Sequence, residues 1–357
     1  MNILFVFYIP SGGVETLNRQ RCAALKKFNI NCHCLYYDAR KDLNPFDGPC
    51  FIGKDPKMIK EILDKGQYSA IVIVSDFRIL SLFRSLGYKG KIIIEIQGLG
   101  PKDQAKAFLL DGYSEIMKHA DALLNPNTPH IVKLFDEIFP EKPKFRFNNC
   151  FDTNQFCYQD LPKPPHPIVA WIGRIEDNKN WKEFLYLGHR LLHEINSNIQ
   201  LYMFEDPTLA VPRERHEFEQ LIVKLDLTKN LSLLHNVTNA KMADFFSKIG
   251  DSGGFLCSTS KVEGAPYSVL EALSCKCPIL TTDSDGVRSS IIHNQTGKYY
   301  TLGNIQEAVK EAKELMTNTQ LREKIRSNGL LHVSSNFSPD LYSKNFINLL
   351  KSLGITV

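Results

Sequence analysis

Lys261-Val262-Glu263-Gly264-Ala265-Pro266-Tyr267-Ser268-Val269-Leu270-Glu271-Ala272-Leu273 is the stretch on which the reading of this chain turns. An apolar run at 253–257 precedes it and reads as a buried strand, followed by a short polar turn at 258–261. A helix is predicted over 267–274, with Pro266 near its first position, where a missing N–H costs nothing. Glu263 then lies in the turn and Glu271 about two turns into the helix. Between them the amides of Tyr267, Ser268 and Val269 make the positive end of a helix dipole, a site for an anion. Two carboxylates beside such a site repel bare phosphate but accept hydrogen bonds from sugar and ribose hydroxyls. A nucleotide sugar offers both parts. Taken alone, the pair also fits two solvated glutamates on an ordinary strand–turn–helix unit.

A similar layout lies upstream. The apolar run 168–172 leads into Gly173-Arg174-Ile175-Glu176-Asp177-Asn178-Lys179-Asn180, and a helix starts near Trp181. Arginine brings a planar fork of donors and lysine a compact point charge, a combination suited to a diphosphate. At the N-terminus a strand over 3–8 runs into Ser11-Gly12-Gly13 and a helix over 14–28, the arrangement that lets backbone approach a phosphate. Further strands are expected at 31–37, 70–74, 91–96 and 120–124, then at 200–204, 231–234 and 278–282. Helices at 56–65, 77–86, 241–249, 305–316, 320–328 and 340–353 alternate with them. Strands alternating with helices imply an α/β protein with parallel, doubly wound sheets and ligand loops at the strands' carboxyl ends. The cluster Pro162, Pro164, Pro165 and Pro167 reads as a stiff connector, placing the boundary between domains 1–160 and 161–339.

At 357 residues the chain suits two domains, and 43% hydrophobic with 23% charged residues is ordinary for a globular protein. A net charge of +4 leaves no polycationic half, which argues against nucleic acid as a partner. The small excess is compatible with a peripheral contact on an anionic membrane face. Nine cysteines, some spaced C-x-C at Cys32/Cys34 and Cys275/Cys277, read as reduced core thiols rather than zinc ligands. The start reads as a first strand and not a leader, so a cytoplasmic protein is expected. Asp283-Ser284-Asp285 matches the short metal-binding pattern Asp-x-Asp, but the polar turn closed by Gly286 is the favoured reading.

Glu263 to Ala272 spells Glu-Gly-x-Pro-x-x-x-x-Glu-Ala, and Gly173 to Lys179 spells Gly-Arg-x-x-x-x-Lys. In these two motifs the chain resembles the retaining glycosyltransferases of GT-B architecture, glycosyltransferase family 4. The resemblance implies two Rossmann-like domains with a cleft between them and a final helix, about 340–357, that returns to the first domain. It implies transfer of a sugar from a nucleotide diphosphate sugar, UDP-linked by preference or GDP-linked, to a glycan, lipid-linked, protein-linked or small-molecule hydroxyl. Neither metal nor cofactor is then called for.

Residue by residue, Arg174 and Lys179 would meet the diphosphate together with the turn Gly264, Ala265, Tyr267 and Ser268. Glu263 would hold the sugar and Glu271 the ribose. Asn236 and Val237 would lie against the base, Gly12 and Gly13 against the donor, and Gln97 and Gly98 on the acceptor side. Three places depart from the family: Gln97 stands where many members have histidine, Glu205-Asp206-Pro207 replaces a glycine-rich turn, and Asp285-Gly286 replaces Gly-Gly. The first two departures keep open a non-catalytic partner subunit, and a nucleotide-sugar epimerase of the same fold is the other rival.

Overall fold

The computed structural model describes residues 1–39, 47–100 and 102–357. Among them, β1 (Asn2–Phe7), β2 (Asn31–Tyr36), β3 (Cys50–Ile52), β4 (Tyr68–Val74), β5 (Lys91–Glu95), β6 (Ala122–Asn125) and β7 (Lys144–Arg146) make one sheet. Its order is β3-β2-β1-β4-β5-β6-β7 and its pairings are parallel. A second sheet holds β8 (Ile168–Ile172), β9 (Gln200–Glu205), β10 (Leu231–His235), β11 (Phe255–Ser258), β12 (Ile279–Thr282) and β13 (Lys298–Tyr300). It runs β10-β9-β8-β11-β12-β13, again parallel.

The continuous apolar strands follow from helices covering both faces: Ile3, Leu4, Phe5 and Val6 are all fully buried. In each sheet the chain runs outward from the first strand in one direction and then in the other. That reversal opens a crevice outside the strands' carboxyl ends, where the ligand loops of such sheets lie.

The chain divides into two compact units, Met1–Asp152 with Asn336–Val357, and Thr153–Ser335. The crossing therefore comes before the proline cluster and not at residue 160. The physical reason is that 156–159 are already tied to the second unit. The Ser274 hydroxyl donates to the Phe156 carbonyl, the Gln159 amide to the Ser247 hydroxyl, and the Tyr158 hydroxyl to Asp251 at 2.9 Å. The final helix, Pro339–Ser352, belongs with the first unit, where Phe346 packs on Phe5 at 6.0 Å and the Phe151 amide donates to the Phe337 carbonyl.

The helix expected over 320–328 instead spans Thr319–Asn336. Gly329, inside this longer helix, is a close-approach position: a Cβ there would stand 2.7 Å from a methyl of Leu273. Three-residue strands such as β3, β7 and β13 carry no period of their own, and sequence reading passed over them. Among the described residues no helix is long and apolar enough to cross a membrane.

Candidate active site

Three loops at the carboxyl ends of β8, β11 and β12 build the site in the second unit. After β8 the chain makes a tight turn at Asp177–Lys179, passes Asn180 in the left-handed region (φ 52°), and enters the helix Trp181–Glu194. After β11 it runs through 259–263 into the helix Tyr267–Ser274. The two loops are zipped together. The Lys261 amide donates to the Asn178 carbonyl at 2.8 Å. The Val262 amide donates to Asn178 Oδ1 at 3.2 Å, and Asn178 Nδ2 donates back to the Val262 carbonyl at 3.1 Å. Buried Thr259, which accepts from Trp171 Nε1 at 3.0 Å, turns its own hydroxyl to the carbonyls of Lys179 and Asn180. Lys179 Nζ therefore lies 2.5 Å from Glu263 Oε1, with the two side chains 24% and 12% exposed.

The loop after β12 grips Glu263 from the other side. The Glu263 amide donates to the Ser284 carbonyl and the Gly286 amide to the Glu263 carbonyl, each at 3.0 Å. The Gly286 amide also lies 2.9 Å from the Ser284 carbonyl, closing a γ-turn on Asp285 at φ 67°, ψ −72°. That conformation is rare and strained for a side-chain-bearing residue. Here the family's Gly-Gly becomes Asp-Gly, and Asp285 carries the strain. Asp283 is held by the guanidinium fork of Arg288, through Nε at 2.8 Å and through NH2. The Asp-x-Asp stretch is thus a turn tied by an ion pair and by backbone.

Not every residue singled out from the sequence joins the Lys179–Glu263 pair. Arg174 turns to Glu176 Oε1 at 2.9 Å and is half exposed. Pro266 is the residue before the helix rather than its first member, and its carbonyl accepts the Val269 amide at 3.2 Å, withdrawing Val269 from the predicted trio of donors. Gly264, Ala265 and Ser268 are half-buried around the turn, and Tyr267 is buried. Glu271 is buried on the helix and accepts from Asn239 Nδ2 at 2.9 Å. Nothing in the local pattern marked Asn239, which opens the helix Asn239–Asp251.

Glu205, read as part of the turn after the strand, is a buried carboxylate. Its Oε1 meets Arg215 NH1 at 2.8 Å and His235 Nδ1 at 3.0 Å. Asn236 follows in the left-handed region (φ 51°), its amide on the Glu205 carbonyl, exposed, with Val237 half-buried beside it.

In the first unit Gly12 and Gly13 are exposed and form the first turn of the helix Gly12–Lys26, which starts two residues earlier than expected. Gln97 is tied at both ends of its amide. Nε2 donates to Glu95 Oε1 at 2.8 Å and to Asn149 Oδ1 at 3.1 Å, while Oε1 accepts from Asn149 Nδ2 at 2.7 Å. Both N–H donors are spent, and one lone pair on Oε1 is left. Gly98 beside it is half-buried. Behind Gln97, buried Arg21 donates to Glu95 Oε2 at 2.7 Å and to Asn18 Oδ1 at 2.6 Å. The lone arginine on an apolar helix face was the available signal for this network, and the sequence reading passed over it.

The profile of the family described as glycosyl transferases group 1 matches residues 158–332. Glycosyltransferase 1 domain-containing protein 1 of Xenopus tropicalis is 33% identical over 100 residues, 28% of either chain. Sucrose-phosphate synthase of Thermosynechococcus elongatus superposes with a TM-score of 0.83 at 14% identity, covering 99% of this chain and 98% of its own. Alr3699/HepE of Anabaena, solved with UDP-glucose, superposes with a TM-score of 0.80 at 14% identity, covering 99% and 100%. The matched stretch spans less than half the length of each curated relative.

Proposed function

From a second unit that belongs to the glycosyl transferases group 1 family, in a chain of GT-B fold, we propose a retaining, metal-independent glycosyltransferase that takes a nucleotide diphosphate sugar as donor. UDP-sugar is the favoured donor, with GDP-sugar as the second choice, and the acceptor is a hydroxyl of a glycan, lipid-linked, protein or small-molecule substrate. In the reaction the bond from the anomeric carbon to the diphosphate oxygen breaks and a bond to the acceptor oxygen forms on the same face. The acceptor's proton leaves with the diphosphate.

The ion pair of Lys179 and Glu263 is the observation that carries this reading. A lysine ammonium has three N–H donors, and Glu263 takes one, leaving two for phosphate oxygens while the carboxylate stays beside them for a sugar hydroxyl. Charge developing on the leaving diphosphate is thereby met by a group already in place, which is where electrostatic catalysis gains most. Glu271, already oriented by Asn239, suits the ribose hydroxyls, and the turn 264–268 supplies amides near the phosphates. Arg174 reaches the diphosphate only after leaving Glu176. The reduced state of the cysteines suits a cytoplasmic setting, at a membrane face where the acceptor is lipid-linked.

Calorimetric titration with UDP and GDP, and assay of UDP-glucose turnover with and without excess EDTA, test the reading. Lys179→Ala should weaken nucleotide binding at least about tenfold, by analogy with the loss of a charge-assisted hydrogen bond. Glu263→Ala should abolish most turnover in a folded protein, and EDTA should leave the rate unchanged. Unaltered binding and turnover in both variants would overturn the assignment.

A further inference from the structure

We propose that Asn178 is a positioning residue whose carboxamide fastens the Lys179 loop to the Glu263 loop and so fixes where the Glu263 carboxylate stands. Lys179 and Glu263 are 84 positions apart, and neither loop is a strand that would hold the other by ladder bonds. Thr259 ties the base of the Glu263 loop to the Lys179 and Asn180 carbonyls, and next to Glu263 itself the join is made by Asn178. Asn178 accepts from the Val262 amide and donates to the Val262 carbonyl through one planar group, and its own carbonyl accepts from the Lys261 amide. A further link between the loops, Lys261 Nζ to Asp177 Oδ1, is exposed on both sides and contributes little.

Chemistry dictates the residue type. Among short side chains only a carboxamide offers a donor and an acceptor on one rigid plane. Aspartate at 178 would keep the bond from the Val262 amide but set an oxygen against the Val262 carbonyl. Alanine would leave both groups of Val262 unpaired. Downstream, Glu263 is gripped by Ser284 and Gly286; upstream, Asn178 supplies the grip through the residue next to it. Loss of the upstream hold leaves the pair able to form but not fixed, and misplacement on the scale of an ångström costs rate far more than affinity.

The inference rests on the donor-site reading above, so the experiment separates the two. Turnover of UDP-glucose, with GDP-mannose as the second donor, and UDP affinity by calorimetry are measured for wild type, Asn178→Ala, Asn178→Asp, Glu263→Gln, and the double variant Asn178→Ala with Glu263→Gln. The expected result is a kcat lower by about 10- to 100-fold in Asn178→Ala, with KM and UDP affinity within about threefold. Asn178→Asp should show a smaller loss, and serves in place of the alanine variant if that one does not fold. In the Glu263→Gln background, Asn178→Ala should cost less than about twofold more, because the two act as a unit. A wild-type kcat in both Asn178 variants, or the same loss with and without the Glu263 change, overturns the positioning role alone. Undiminished turnover in Glu263→Gln, or no turnover of either donor by wild type, overturns the donor-site reading and this inference with it.

Discussion

Gly286 approaches Gly264 so closely that a Cβ on residue 286 would stand 1.7 Å from the Gly264 carbonyl oxygen and 2.4 Å from that of Glu263. Backbone meets backbone there, so neither side can give without moving the loop that carries Glu263. Gly286→Ala should therefore lower turnover about 100-fold through displacement of Glu263, and cost about 1–3 kcal/mol of stability. Steady-state kinetics beside urea unfolding check both numbers. Normal kinetics would mean that this contact does not set the position of Glu263.

Gln97 is committed to Glu95 and Asn149. Gln97→Met, similar in length, leaves an oxygen of Glu95 and the Asn149 amide short of partners, and should cost about 1–3 kcal/mol of stability. UDP affinity, which resides in the second unit on our reading, should stay within about twofold. Urea midpoints and calorimetry test this. Full stability with lost turnover would shift Gln97 from scaffold to substrate contact.

Arg21 and Glu95 form an ion pair with side chains 0% and 2% exposed, and the guanidinium lies 3.8 Å from the centre of the Phe5 ring. Removing the cation strands a buried carboxylate. Arg21→Met should destabilise by about 3–5 kcal/mol, and adding Glu95→Leu should restore much of the loss, since breaking such a pair costs more than replacing it. Equal stability of the single and double variants would count against a buried charge as the cause.

Burial lowers His33 below the ordinary histidine range, with its Nδ1 2.7 Å from the Tyr68 hydroxyl. A histidine depressed in the fold binds fewer protons folded than unfolded below about pH 6.5. Stability should thus fall as pH drops through that value toward the lowered one, and His33→Gln should flatten that part of the profile. Urea midpoints at pH 7.5 and 5.5 make the comparison, and an unchanged slope in the variant would assign the dependence elsewhere.

Local pattern alone determined the alternation of strands and helices, because burial on both faces writes strands such as Ile168–Ile172 as unbroken apolar runs. It also placed the two charged motifs in loops immediately after those runs, and their resemblance to the motifs of a glycosyltransferase family is what singled out Lys179 and Glu263. What the tertiary structure decided depends on partners far off in the chain. Gln97 spends its donors on Glu95 and on Asn149, and Glu205 is buried beside Arg215 and His235. The crossing at Asp152 is set by hydrogen bonds to Ser247, Asp251 and Ser274, which no composition shift announces. Spacing along a chain reports which groups a loop carries, whereas which of them remain available to a ligand is settled by the neighbours that folding brings alongside.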